Sequence, residues 1–251
     1  MSHSPPSQLP LYAQVEGILT GRIMRGELPE GSQLPSEEVL IEEFNVSRTT
    51  IRATIRNLVQ AGLIEIRRGK GTFVVLKKVT QELTELTGFV EDMEILGRRA
   101  TARVLGRNVI KASNTVARKL DIVAGSPVVQ IHRVRLADGV PLSFDETYLP
   151  EDLGRKVIGN DLVVEPIFSL LEQRYQTPLL EAEYHLEASL ASPAVAMALN
   201  VGVGSPVFLI ERTSFSVDYR PVDYEKLYYR GDLIRFKTRL ARRAPAKLSV
   251  D

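Results

Sequence analysis

The sequence predicts an α+β protein in two parts: an N-terminal winged helix-turn-helix domain and a C-terminal antiparallel-sheet domain. Three observations carry that reading. Amphipathic helical stripes joined by a tight turn open the chain and end in a short Gly-rich hairpin. A weak repeat of helix, strand, turn and strand runs twice through the second half. Charge, nearly balanced overall at +1, is uneven along the chain. With 251 residues, 44% apolar and 25% charged, the composition is that of an ordinary globular chain of one large or two modest domains.

The same composition excludes several chemistries. There is no cysteine, which removes disulfides, thiolate zinc sites and cysteine nucleophiles. His3, His132 and His185 are not paired at ligand spacing, so no metal site is expected. No run of ~18 apolar residues is present to span a membrane. Ser2 to Pro10 is polar and Pro-rich, unlike a signal peptide, so a cytoplasmic protein is expected. No nucleophile–base–orienter set is visible, and neither catalysis nor a cofactor is expected.

Leu11, Val15, Ile18, Leu19 and Ile23 form the first helical stripe, stopped by Gly26 and Pro29. Ser36 stands at an N-cap position, with Glu37 and Glu38 in the first turn, where carboxylates suit the positive helix end. Leu40 and Phe44 are that helix's apolar pair, and Asn45-Val46 makes a tight turn. Ser47 caps a third helix whose Ile51, Ile55 and Leu58 face inward and which Gly62 ends. Its outer face is Arg48, Thr49, Arg52 and Arg56, beginning in the first turn, where a recognition helix carries its base readers. Arg can fork onto guanine O6 and N7, and a Thr methyl can meet a thymine methyl. Residues 46–78 hold eight bases against one acid, while 27–43 hold six acids and no Lys or Arg. Such a surplus either attracts a polyanion or forms a solvated surface. Leu63 to Arg67 and Thr72 to Leu76 read as strands around a basic tip, Arg68-Gly69-Lys70-Gly71, from which a Lys can reach phosphate or the minor groove.

Pro10-Leu11-Tyr12, Leu34-Pro35-Ser36-Glu37, Val46-Ser47-Arg48-Thr49-Thr50-Ile51-Arg52, Gly62-Leu63-Ile64 and Gly69-Lys70-Gly71-Thr72-Phe73-Val74 resemble the winged-helix head of GntR-family repressors. The resemblance implies a DNA-binding domain over 9–76. It implies that Arg48 and the wing Gly69 contact double-stranded operator DNA; with the helix face and the hairpin tip, the expected DNA-binding residues are Ser47, Arg48, Thr49, Thr50, Arg52, Arg68, Gly69 and Lys70. Where the family often has Arg after Pro-Ser-Glu, this chain has Glu38. A carboxylate there cannot bind phosphate; it either accepts from cytosine N4 or faces solvent.

Residues 77–86 read as a linker, and Leu83, Leu86, Phe89, Val90, Met93 and Leu96 as a helical stripe ended by Gly97. The repeat's helices are Ser113 to Leu120 and Ser192 to Leu199. They lead through Gly125-Ser126-Pro127 and Gly204-Ser205-Pro206 into strands Val128 to Ala137 and Val207 to Val217. Each strand turns, at Asp138-Gly139 or Asp218-Tyr219-Arg220, and returns. Two such units predict an antiparallel sheet with helices packed on it. Strand parity puts Arg133 and Arg135 on one face of their strand, and Asp145 on a face with Ser143 and Thr147. Asp223, Glu225, Leu227 and Tyr229 likewise share a face, and an offset of 80 aligns Asp145 with Glu225. Charges so placed are either solvated or gathered around a ligand. The tail from Arg235 to Lys247 holds six bases and reads as a solvated edge or a second DNA contact.

Leu86-Thr87-Gly88-Phe89-Val90-Glu91-Asp92-Met93, Arg133-Val134-Arg135-Leu136-Ala137-Asp138-Gly139 and Tyr229-Arg230-Gly231-Asp232 resemble the UTRA effector domain of the HutC subfamily. That resemblance implies a fold like chorismate lyase over 87–245, serving effector binding and dimerisation. The small anionic effector would be held by Arg133, Arg135, Asp145, Asp223 and Tyr229 and the backbone near Phe89, with Glu225 on the same strand face. Sugar-phosphate binders of the family use a hydroxyl residue to open the helix that here starts at Glu165-Pro166. Glu165 offers none and would repel phosphate, whereas a carboxylate pairs bidentately with Arg. The expectation is an effector-responsive transcription regulator, a homodimeric repressor released from its operator by a small anionic metabolite. The alternatives are an enzyme of lyase-like fold, which lacks a catalytic set, and a constitutive DNA-binding protein, which would leave the arginine pair and its acids without a role.

Overall fold

The computed structural model describes residues 9–24, 26–75 and 78–241. The expected head–linker boundary at 76/77, the domain end at 245, His3, and the bases Arg242, Arg243 and Lys247 lie outside the described residues. The head comprises α1 (Leu11–Met24), α2 (Glu37–Phe44), α3 (Arg48–Gln60), β1 (Ile64–Arg67) and β2 (Gly71–Val74). Ser36 accepts from the Val39 N–H and Ser47 from the Thr50 N–H, so α2 and α3 both start on satisfied caps. Asn45, left-handed at φ 49°, ends α2 and swings the chain directly into α3. Leu19, Leu40, Ile51 and Leu58 are fully buried at the centre. Antiparallel pairing sets Arg67 opposite Gly71 and leaves residues 68–70 as the hairpin tip.

The second part comprises β3 (Val79–Glu82), α4 (Phe89–Ile95), β4 (Ala100–Lys111), α5 (Asn114–Lys119), β5 (Pro127–Ala137) and β6 (Val140–Pro150). It continues with α6 (Glu151–Val157), α7 (Ile167–Ser169) running on as a π-helical turn to Arg174, β7 (Leu179–Leu190), α8 (Pro193–Leu199), β8 (Pro206–Ser216), β9 (Pro221–Arg230) and β10 (Ile234–Lys237). Six strands form one antiparallel sheet in the order β4-β5-β6-β9-β8-β7. The repeated unit is therefore strand, helix, strand, strand. Its leading strands, β4 and β7, were not expected; they are the sheet's edges, and neither carries a fully buried residue.

The segment expected as a linker contains a paired strand. Its centre is β3, paired in parallel with β10, with Val79 and Ile234 buried together. Four residues carry too little periodicity to be read locally, and the partner strand lies at the far end of the chain. The expected helical stripe is also shorter. Leu83 and Leu86 lie in an irregular strap, and α4 begins at Phe89 because the Gly88 N–H donates to Glu91 at 3.0 Å.

On one face of the sheet, α5 packs over Val128, Tyr148 and Tyr224, and α8 over Val134, Phe144 and Val207. On the other, α6 and α7 lay Leu153, Val157, Ile167 and Phe168 over Val129, Ile131 and Leu149. The approach of α6 is close: a Cβ on Gly154 would stand 2.4 Å from Val129 Cβ, an atom fixed to the strand backbone. Alanine gains about 1 kcal/mol of helix propensity over glycine, but overpacking a site that cannot yield costs about 1–3 kcal/mol. Gly154→Ala is therefore expected to lower the thermal unfolding midpoint, measured by circular dichroism.

Candidate functional site

The head presents its bases on α3 and the hairpin tip. Arg48, Thr49 and Arg52 are exposed, as are Arg68, Gly69 and Lys70. Ser47 and Thr50 have local partners: Ser47 Oγ accepts from the Thr50 N–H and lies 2.9 Å from Thr50 Oγ1. Two of the arginines face carboxylates. Arg48 donates to Glu38 at 3.2 Å and Arg52 to Glu37 at 3.1 Å, so Glu38 both faces solvent and pairs with Arg48. Gly71 stands at φ 117°, a backbone conformation that favours glycine, with the Gln33 amide against it. That amide donates to the Lys70 carbonyl and braces the tip.

The second site lies on the α6 face of the sheet. Register sets Arg133 beside Asp145 and Arg135 beside Ser143 on β5 and β6. It also sets Arg212 beside Glu225 on β8 and β9, and Thr147 beside Glu225 across the centre. Arg133, Arg135, Arg212, Asp145 and Glu225 are all at least 92% buried. They line a cavity of about 40 Å³ together with Phe89, Tyr229, Gln81, Phe168 and Tyr184. Phe89 lies 4.9 Å from the Arg135 guanidinium, and Phe168 lies 4.5 Å from that of Arg212, so aromatic faces close over both cations.

The two halves of the repeat use their arginines differently. Arg212 is engaged by Glu225, the Tyr184 hydroxyl and the Thr87 carbonyl. Burial is the largest single influence and opposes its charge, but Glu225, Tyr184 and Asp223 together outweigh it and hold its pKa well above the usual value. Burial also works against the Glu225 carboxylate, yet Arg212 and Arg133 keep it below its ordinary range. Arg133, by contrast, is lowered to about 10 by burial and by repulsion from Arg135. Its Nε and Nη1 have no hydrogen-bond acceptor, nor does Nε of Arg135, and the Gln81 Oε1 has no donor. Buried donors without partners are costly and rare. Here they converge on one cavity.

Of the expected effector residues, Phe89, Arg133, Arg135, Asp145, Glu225 and Tyr229 line the cavity. Asp223 shares their sheet face but lies off the lining, with Oδ1 accepting from the Ser214 N–H. Glu165 is also off the lining, next to Pro166 and Ile167 that are on it, and pairs with Arg174 at 3.1 Å. Residues missed by sequence reasoning are Gln81, Thr87, Phe168, Tyr184 and Arg212. Arg212 carried a signal: the offset of 79 that maps Pro127 onto Pro206 also maps Arg133 onto Arg212.

The family model for the UTRA domain matches residues 96–235, and that for bacterial regulatory proteins of the gntR family matches 11–74. The chain belongs to the GntR family. With its UTRA domain it is a DNA-binding, effector-responsive transcription regulator of the HutC type, and not an enzyme. The HTH-type transcriptional repressor NagR of Bacillus subtilis (strain 168) is 33% identical over 236 residues, covering 94% of this chain and 97% of the relative. The histidine utilization repressor of Pseudomonas putida is 29% identical over 233 residues, 93% of each protein. The crystal structure of PhnF from Mycobacterium smegmatis is 25% identical with a TM-score of 0.63, covering 92% of this chain and 99% of that one.

In this GntR-family chain the cavity is tied physically to the head. The β5–β6 hairpin carries Arg133, Arg135 and Asp145, and its turn residue Asp138 accepts from Arg98 at 3.3 Å. The same Arg98 guanidinium donates at 3.0 Å to the carbonyl of Ala61, the C-cap of α3. No described helix is long and apolar enough to cross a membrane.

Asp223 supplies a pH test of the buried network. Burial, and then the charge of Glu225, raise its pKa from 3.8 to about 7. A carboxyl whose pKa is higher folded than unfolded binds its proton more tightly when folded, so its contribution favours folding at low pH and is lost as pH rises from 3.8 toward 7. Asp223→Asn keeps the acceptor for Ser214 and removes the ionisation. The variant is expected to melt above wild type at pH 8, with the gap narrowing steadily toward pH 4; a gap independent of pH would refute this assignment.

Proposed function

We propose that the protein is a cytoplasmic homodimeric repressor that leaves its operator when a small anion enters the Arg133–Arg135 cavity. The observation that carries this reading is the set of unpartnered guanidinium N–H groups on the buried arginines that line one cavity. An anion with two acceptor oxygens would satisfy them. Asp145, Glu225 and Gln81 Oε1 are acceptors on the same wall, so the effector would also carry hydroxyl or ammonium donors. A cavity of about 40 Å³ holds a few waters. A metabolite therefore requires the strap and α7 to part, lifting Phe89 and Phe168. That opening is a differential between ligand-bound and ligand-free forms, which any regulation requires.

In this proposal Arg48, Thr49 and Arg52 read bases while Arg68, Gly69 and Lys70 hold phosphate or minor groove. Ser47 and Thr50 fix the N-terminus of α3 against the backbone. One recognition helix makes too few contacts for genomic specificity, so two copies act on palindromic half-sites. Light scattering of the full chain at micromolar concentration should give the mass of a dimer. The repressor sign follows the names of the relatives. The signal would pass along the β5–β6 hairpin to Arg98 and Ala61, and along the strap through β3.

The test is operator release, followed by fluorescence anisotropy as the most strongly stabilising anion from a screen of carboxylates, phosphates and phosphonates is added. Arg133→Ala and Arg135→Ala should bind operator as wild type does and fail to release it. Arg98→Ala should still bind the anion, read by calorimetry, yet release DNA at a higher anion concentration. If the Arg133 and Arg135 variants release normally, the effector acts elsewhere.

A further inference from the structure

The carboxylates that open α2 and the arginines that open α3 form a two-rung ladder. Glu38 and Glu37 are adjacent on one helix; Arg48 and Arg52 are one turn apart on the other, at 3.2 and 3.1 Å from their partners. Arg48, Arg52 and Glu38 are exposed and Glu37 is half-buried, and ion pairs at such a surface contribute only about 0–1 kcal/mol. Stability therefore gives little reason for two of them. Arg56, the next base along the same face, has no such partner among the described residues. The ladder marks the first turn of α3, the end of a recognition helix that enters a groove.

A carboxylate close to these arginines treats two binding modes unequally. When Arg48 or Arg52 reaches for phosphate, its acid is drawn toward the same anion, or the pair must break. A guanine edge offers neutral acceptors, O6 and N7, and takes only two of the five donors of an arginine. Glu38 engages Nη2 of Arg48 and Glu37 engages Nε of Arg52, which leaves donors on each guanidinium for a base. The pairs are thus compatible with base readout and opposed to phosphate-only binding.

We infer that Glu37 and Glu38 are specificity-determining residues. They penalise sequence-independent binding and hold Arg48 and Arg52 for base edges. The inference rests on the reading of α3 as the base-reading element.

The experiment uses full-length protein, a duplex selected from a random-sequence library by wild type, and a shuffled duplex of the same composition. Affinities are measured by anisotropy between about 50 and 200 mM salt. Glu38→Gln and Glu37→Gln should tighten binding to the shuffled duplex more than to the selected one. The selected-to-shuffled ratio should fall about fivefold, with a steeper salt dependence on the shuffled duplex. Glu42→Gln, the same charge change further along α2, should leave that ratio unchanged. Equal shifts for Glu38→Gln and Glu42→Gln would overturn the inference, leaving only net charge. Loss of affinity at a single base pair of the selected duplex, with shuffled binding unchanged, would also overturn it, because Glu38 would then contact a base itself. If wild type does not distinguish the two duplexes, the base-reading role of α3 fails, and the inference with it.

Discussion

Guanidinium groups taken out of water need partners, and the effector domain is organised around that requirement. Arg133, Arg135 and Arg212 stand on one face of a sheet with almost no exposure, with Asp145 and Glu225 among them. The desolvation of such charges costs several kcal/mol each, and only close, hydrogen-bonded acceptors offset it. Arg212 has most of them in Glu225, Tyr184 and the Thr87 carbonyl, although its Nε has no acceptor either. Arg133 and Arg135 do not have a full set, so this half of the site has donors left for an anion.

Duplication of one strand–helix–strand–strand unit explains how the arrangement arises. Pairing of β6 with β9 brings the return strands of both units together, so each unit contributes an arginine and a facing acid to the sheet centre. Departure from symmetry then divides the roles. The second unit's pair is closed by Tyr184 and the strap, and holds the wall together. The first unit's pair remains open, on the hairpin whose turn reaches Arg98 and the end of α3. The ligand-facing strand and the strand connected to the head are thus one element. The strap adds a second connection, because Gln81 on β3 and Thr87 stand in the cavity wall only a few residues beyond the hairpin of the head.

Much of this was legible in the sequence, for identifiable reasons. Caps at Ser36 and Ser47 and apolar spacing located the head helices, because those signals act within one or two turns. Strand parity set Arg133 with Arg135, Asp145 with Ser143 and Thr147, and Asp223 with Glu225, because alternation survives whatever the partner strand is; the resemblance to the UTRA domain joined those faces into one site. The repeat also held Arg212, through the same offset that aligns the two Gly-Ser-Pro turns. Gln81 and Tyr184 gave no signal: one sits on a four-residue strand paired with the C-terminal end, the other on an edge strand of mixed character. The ladder of Glu37 and Glu38 was hidden similarly. Both acids suit a helix N-terminus, and their cross-helix partners depend on the turn made at Asn45.

The central claim is that Arg133 and Arg135 form a socket for a small anion. Its most direct test is the thermal unfolding midpoint of the full chain at constant ionic strength, with phosphate, phosphonates, mono- and dicarboxylates, amino acids and neutral sugars. A ligand that binds the folded state alone raises the midpoint in proportion to the logarithm of its concentration. The account predicts such a rise for at least one hydroxylated or aminated anion, none for its uncharged analogue, and loss of the effect in Arg135→Ala. A rise that persists undiminished in Arg135→Ala, or no rise with any anion, would contradict it.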